Sequence, residues 1–480
     1  RSADAGEDAA WDALASVYAE PLLADVITRW AHRATVTRDP SLSRRVQLWR
    51  TTQMASTWTL DPEARRLTRT LSRRLIDHRY TLDGKAISRL ELERVLRENP
   101  DRAVRRRAWQ ELSTASADLR TDLVRLIRLR SLRALNTRPK QVSRLIFDAE
   151  QLDTSYIHQV VNVLGKRTQP AYDTLLQGMR EALGIEGKLE PWDLDHGLEA
   201  RSRARWGNTA PIDLISDEGM ALAARMLQHA GLPAPANTVV RPLPVPSLFA
   251  PVSIPADVRV ILDPDAGAPE MLEGAARPLL AAHAGQDSAI LRGYPWLPTA
   301  RSVMYDASMA STLEALLHDP LLLREALGLD QRRIDLLIAD LRELALLTFR
   351  RVLVEEAFEH AVTVNPDADL ETRYRQLFTK ATGTTIPAGD PVDWPARLLF
   401  IEDPLSSLGR LFGPAVAAGV HAKMAKDLGD GRARKGAAGA WLIEHCFKGG
   451  ERLPMAERLA TCTETGHDTK LYFQWMGIGP

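Results

Sequence analysis

The chain has 480 residues, balances 62 basic against 62 acidic side chains, and is 45% hydrophobic and 26% charged. That length leaves room for one large domain or two or three ordinary ones. The charge balance removes any global pull on nucleic acid or acidic lipid, and the composition belongs to a folded chain, not a disordered one. Its wealth of Leu, Ala, Arg and Glu leans towards an all-α protein.

The first half reads as helix after helix. Asp61-Pro62-Glu63 offers an Asp N-cap, Pro at the first helical position and an acidic first turn, which predicts a helix to about Tyr80. Asn99-Pro100-Asp101 opens another, running to about Leu135. Within it Leu112, Leu119, Leu123 and Leu126 recur at helical spacing, with Ile127 beside them. Arg120, Arg125, Arg128 and Arg130 read as a solvated face paired with acids, not as a nucleic-acid surface. Asp153 to about Leu183 carries one or two helices, and Pro191-Trp192-Asp193-Leu194 marks a turn. Ser216 to about Ala230 is a helix closed by Gly231 and Pro233. Proline density excludes helix between Pro233 and Pro255. Asp257 to Asp263 alternates β-branched residues and is the best strand in the chain. Helices resume at about Pro269 and continue to the end, with breaks at 285–298, 365–367, 383–395, 429–436 and Gly449-Gly450.

Motif searches give no catalytic centre. No two of the 11 histidines lie closer than 22 positions, so no helix face presents a zinc-binding pair at i, i+4. A nucleophile elbow, a phosphate-binding loop and a dinucleotide fingerprint are all missing. Cys446 and Cys462 are too few for a disulfide framework or a four-cysteine zinc site; they are either two free thiols or one pair. No apolar run reaches the ~20 residues of a membrane helix, so membrane insertion is not expected. The chain begins at Arg1 without an initiator methionine, which favours an exported protein, periplasmic or extracellular, over a cytoplasmic one.

The order of segments resembles a known group. Arg102 to Trp109, Leu123 to Arg130, Pro191-Trp192-Asp193-Leu194, and Asp257-Val258-Arg259 ahead of a helix are similar to stretches of zincin metallopeptidases. These are the oligopeptidase F/thimet oligopeptidase and angiotensin-converting-enzyme-like families. Asn365-Pro366-Asp367, Trp394, Asp403-Pro404, the Ala/Gly-rich stretch from Leu411 to about Lys426, Gly439 to Leu442 and Gly449-Gly450 continue the likeness. The resemblance implies a mainly α, zincin-like oligopeptidase fold: two helical halves around a deep cleft, with one small β-sheet. Residues 1–240 would form the N-terminal half, 241–268 a proline-rich linker and strand, and 269–480 the C-terminal half.

The same resemblance implies that the metal site has degenerated. In active relatives the helix after the strand carries H-E-x-x-H; here Ala276 and Leu280 stand at the ligand positions and Arg277 at the general base. Asp306 stands near the third ligand, and no tyrosine remains in Ala417 to His421. One carboxylate does not hold zinc, and a guanidinium cannot accept a proton at ordinary pH. The reading is therefore a pseudopeptidase without cofactor, binding a peptide or protein partner in its cleft and no nucleic acid. His283, Arg301, Arg410 and His421 are the possible cleft residues, with His318 at the surface or rim. Asp306 is expected to pair with Arg277 in place of the metal. A metal-independent enzyme in the same cleft, or a structural or assembly role, stays open.

Overall fold

A computed structural model describes residues 2–135, 154–214, 217–232, 238–240, 248–253, 257–262, 267–287, 302–402, 404, 406–464 and 469–478. Helices begin where a side chain can satisfy the orphan amides of the first turn. Four of them, α1 to α4 (Ser2–Ala19, Pro21–Ala31, Ala34–Thr37, Pro40–Thr59), precede α5 (Pro62–Asp77). Asp39 accepts from the Ser41 and Leu42 amides, and Asp61 accepts from that of Ala64 at 2.9 Å. The helix after Asp61 thus starts as the sequence reads. It ends at Asp77, because Tyr80 already belongs to a hairpin of β1 (Tyr80–Leu82) and β2 (Lys85–Ile87). Asp83 and Gly84 make its two-residue turn at φ +51° and +77°, the backbone that a primed hairpin turn requires.

A capping box between Ser88 and Glu91 opens α6 (Arg89–Glu98). The stretch opened by Asn99-Pro100-Asp101 is two helices, α7 (Arg102–Leu112) and α8 (Ala115–Leu135), parted at Ser113 and Thr114. Leu119, Leu123 and Leu126 are completely or almost completely buried, each contributing about 1.5–3 kcal/mol. Three of the four arginines pair with acids as expected: Arg120 with Glu371 and Arg125 with Glu63, both at 2.7 Å, and Arg128 with Asp367. Arg130 differs. It is buried and donates to the carbonyls of Phe400 and Ile401.

Next come α9 (Thr154–Leu183), a 3-10 turn at Pro191–Asp193, α10 (Leu194–Trp206) and α11 (Asp217–Ala230). Gly231, at φ +82°, ends α11, and the Leu232 amide reaches back to the Leu227 carbonyl at 2.8 Å. Ser216 and Pro233 lie outside the described residues. The described parts of the proline-rich region are strands: β3 (Thr238–Val240) and β4 (Leu248–Ser253) flank β5 (Asp257–Leu262). β3 runs parallel to β5, with Thr238 opposite Val260, and β4 runs antiparallel, with Leu248 opposite Ile261. The expected strand is thus the centre of a three-stranded sheet, and the hairpin adds a second, two-stranded one.

The rest is helical: α12 (Gly267–Asp287), α13 (Val303–Glu314), α14 (Pro320–Leu327), α15 (Gln331–Val364), α16 (Leu370–Thr382), α17 (Leu398–Glu402), α18 (Ser406–Leu428), α19 (Ala437–Leu442), α20 (Met455–Cys462) and α21 (Thr469–Trp475). A π-helical turn, Ile443–Phe447, follows α19, closed by the Lys448 amide on the Ile443 carbonyl at 2.8 Å. Between α13 and α18 the contact is close. A Cβ on Gly409 would sit 2.8 Å from the Ala307 Cβ, and one on Gly413 would sit 2.7 Å from the Ser311 hydroxyl.

The cores do not follow chain order. One gathers α11, α12, α13, α18 and the first two-thirds of α15. Another packs α5 to α8 against Val354, Phe358 and Val362 of α15, with Tyr374, Trp394 and Phe400. A small third cluster, around Tyr172, Met179 and Leu347, lies beside them. Two motifs that the sequence shows far apart meet at the edge of the second core. Asp193 is fully buried and accepts from Arg105 at 2.9 Å and from Arg102 at 2.6 Å. Arg105 also donates to the Trp192 carbonyl at 3.2 Å, and Trp109 packs on Trp192 with ring centres 5.8 Å apart. Asp193→Ala leaves Arg105 buried and uncompensated. It should cost about 3–5 kcal/mol in urea denaturation, whereas Arg102→Ala, on a half-exposed partner, should cost no more than about 1 kcal/mol.

Candidate functional site

Helix α12 leaves the central strand and runs into the first core. Ala276 is completely buried and Leu280 is 4% exposed, both among Leu272, Ala275 and Leu279. Their side chains carry no lone pair and look into hydrocarbon. Arg277 lies on the same helix, and its side chain is outside the described residues, as is Arg301. The expected contact between Arg277 and Asp306 therefore falls outside the description.

Asp306 sits in the first turn of α13, whose N-cap is Ser302, accepting from the Tyr305 amide at 3.0 Å. It is 8% exposed. The cation whose field it shares is Arg458 of α20. Burial works against the charge of Arg458, but Glu451, Tyr305 and Asp306 outweigh it and hold its pKa above the ordinary value. Its guanidinium lies 3.5 Å from the Tyr305 ring centre and binds Glu451 at 2.7 Å. Glu451 also takes Arg44 from α4, whose Nε reaches its carbonyl at 2.9 Å and whose Nη2 reaches its carboxylate at 3.4 Å. Two arginines thus share buried Glu451, and Asp306 lies in the field of one of them.

Zinc asks for four N, S or O donors in a tetrahedron, three of them from protein in catalytic sites. Ala276 and Leu280 offer none. Among the described residues no three His, Cys, Asp or Glu side chains converge as a metal site would need. Among the described residues, those at these positions do not fit a zinc ion.

The candidate histidines have structural settings. His421 shares a hydrogen bond with the Thr312 carbonyl at 2.9 Å, clamping α18 to α13, and burial lowers its pKa. His283 stacks on Phe447, and burial lowers its pKa too. His318 is partly buried. Its ring lies 4.0 Å from that of Trp475, its Nδ1 is buried without a hydrogen-bond partner, and burial, helped by His421 and Arg342, pushes its pKa down to about 3. The apolar shelf supplied by α21 explains the difference. Arg410 is half-exposed and binds Glu355 at 2.6 Å, opposite Arg397 at 2.5 Å.

The structure also assembles groups that the sequence reading missed. Glu314 ends α13 and hydrogen-bonds Glu273 of α12; burial and that second carboxyl push its pKa up to about 8. Glu356 of α15 is 6% exposed, and burial alone raises its pKa to about 7. No spacing announces a pair contributed by two helices. Arg458 did leave a signal: it shares one helical face with Met455, Leu459 and Cys462, and an arginine on an apolar stripe must find a buried anion.

No protein-family model matches the sequence, and no curated protein matches it. Solved structures match the fold. A structure assigned to oligoendopeptidase F from Bacillus anthracis superposes with a TM-score of 0.68 at 11% identity, covering 95% of this chain and 81% of that one. PZ peptidase A, with an inhibitor, gives 0.67 at 12%, covering 98% and 84%. An M32 carboxypeptidase from Deinococcus radiodurans gives 0.59 at 12%, covering 97% and 90%. The chain has the helical fold of these zincin-like metallopeptidases, as the order of its motifs implied.

Two measurements check the site. Arg458→Leu strips buried Glu451 of its closest cation and should cost about 3–5 kcal/mol. Adding Glu451→Gln should recover part of that loss in the same thermal or urea melts. Acid should also weaken the protein through His318. Its imidazole stays neutral in the fold down to about pH 3, while the unfolded chain takes up the proton below pH 6.5. The stability it contributes is intact above pH 6.5 and lost as pH falls, by about 2 kcal/mol at pH 5. Urea denaturation of His318→Phe should show a pH 7 to pH 5 loss smaller than wild type by about that amount.

Proposed function

We propose that this chain is a catalytically inactive peptidase homologue whose cleft binds a peptide or a protein partner. The observation that carries this reading is that Ala276 and Leu280, at the positions equated with the metal ligands, are apolar and buried in the first core. Peptide hydrolysis on this fold draws on a metal-activated water and a carboxylate that takes its proton. Arg277, at the position equated with the base, can do neither. Substrate-binding architecture does not depend on those residues, and a fold neighbour, PZ peptidase A, was solved with an inhibitor. Nucleic acid is disfavoured as a partner because Arg120, Arg125 and Arg128 are engaged by acids.

A second reading has one observation in its favour. The Glu273–Glu314 pair holds a proton near neutral pH, as acid–base carboxyl dyads do, so a metal-independent reaction would use Glu314 as its acid.

The test is a mixed-sequence peptide library offered to the purified chain, read by affinity selection with mass spectrometry and then by calorimetry on the selected peptides. Selective micromolar binding with every peptide recovered intact is the expected result. Cleavage that appears with added zinc and vanishes with chelator would sink the proposal. Cleavage that ignores zinc but disappears in Glu314→Gln would favour the second reading.

A further inference from the structure

The two cysteines lie 16 positions apart in sequence, yet the fold brings the segments that carry them together under the surface. Cys446 belongs to the π-helical turn and Cys462 is the last residue of α20; they are 2% and 0% exposed. The Thr461 hydroxyl donates to the His445 carbonyl at 2.8 Å, which holds the residues next to each cysteine side by side. The Tyr305 hydroxyl donates to the Cys446 carbonyl at 2.6 Å, and the Cys462 thiol donates to the carbonyls of Arg458 at 3.4 Å and Leu459 at 3.5 Å. Both thiols are free, and each lies within the other's electrostatic reach.

We propose that Cys446 and Cys462 are a redox-modification site, closing to a reversible intrachain disulfide by exchange with a small disulfide such as glutathione disulfide. With Thr461 already hydrogen-bonded to the His445 carbonyl, a local approach of the two segments brings the thiols to the ~2.05 Å of a sulfur–sulfur bond. A π-turn carries an extra residue per turn and is the kind of local irregularity that gathers at functional positions. Both thiols are buried, so exchange starts from a local opening beside Glu444, Lys448 and Thr461, which are exposed.

The chemistry balances. The Cys462 thiolate attacks one sulfur of glutathione disulfide and releases one glutathione thiol. Cys446 then gives up its proton and attacks the mixed disulfide, releasing the second. The two protein thiols lose two protons and two electrons, and glutathione disulfide gains them. The order follows from the surroundings: interaction with Cys446 favours the Cys462 thiolate, whereas burial pushes the Cys446 thiol up. Closure would tie the π-turn to the helix that carries Arg458, four residues before Cys462, and so to the surroundings of Asp306.

The purified full chain, equilibrated with glutathione buffers from reducing to oxidising, would be acid-quenched, alkylated under denaturing conditions and weighed intact. Two alkylated thiols in reducing buffer should fall to none in oxidising buffer, with no retained glutathione. Trypsin, which cuts after Lys448, Arg452 and Arg458 between the two cysteines, should then yield a disulfide-linked pair of peptides that reductant separates. The Cys446→Ser variant, close to isosteric, should halt at one glutathione on Cys462. Two alkylatable thiols persisting in oxidising buffer would overturn the proposal, as would wild type halting at a glutathione adduct or linking between molecules.

Discussion

One rigid rod sets the geometry of this molecule. Helix α15 has 34 residues, so it is about 51 Å long at 1.5 Å per residue. Its Ile334 to Leu353 face belongs to one core, and Val354, Phe358 and Val362 belong to the other. A helix with continuous hydrogen bonds has no hinge, so the two cores are held at a separation that neither can choose alone. Charged residues sit at the crossing: Glu355 between Arg397 and Arg410, Glu359 taking the Ser407 hydroxyl, and Glu356 between them in sequence. An ordinary core would exclude these carboxylates. Glu355 and Glu359 persist because Arg397, Arg410 and the Ser407 hydroxyl reach that level of the rod.

The buried charges around Glu451 obey the same electrostatic rule on a smaller scale. A buried carboxylate needs a cation beside it. In this chain Arg458 supplies the opposite sign, Glu451 offsets Arg458, and Arg44 from the N-terminal helices closes the chain of charges. Each member is stabilised by the next, so the group behaves as a unit and its energies are not additive.

Much of this was legible because local chemistry and tertiary structure agree. Asp61, Asp101 and Gly231 cap the helices they announce, Leu119, Leu123 and Leu126 line a core, and Asp257 to Leu262 is a strand. The hairpin at Asp83-Gly84 escaped because three-residue strands are too short to show a period, although the dipeptide itself is a turn signal. The break between α7 and α8 carries neither glycine nor proline and shows only in three dimensions. Arg130 and His318 were placed at the surface because sequence reports side-chain polarity and not what the fold packs against it. Residues 288–301, with Arg301 and Trp296, lie outside the described chain. At the site, apolar Ala276 and Leu280 were readable in the sequence, but the contacts of Arg458 were not, since Arg458 lies 152 positions from Asp306.

The close seam between α13 and α18 has a mechanical consequence. Gly409 and Gly413 let two backbones approach until no methyl group fits between them, and the His421 clamp to Thr312 pins the same pair further along. Helices in such contact cannot roll or slide past each other without collision, so they translate as one plank. Any rearrangement of this molecule must therefore be borne away from that seam, and the bridge from Arg44 to Glu451 is one contact that ties the N-terminal helices to the rest.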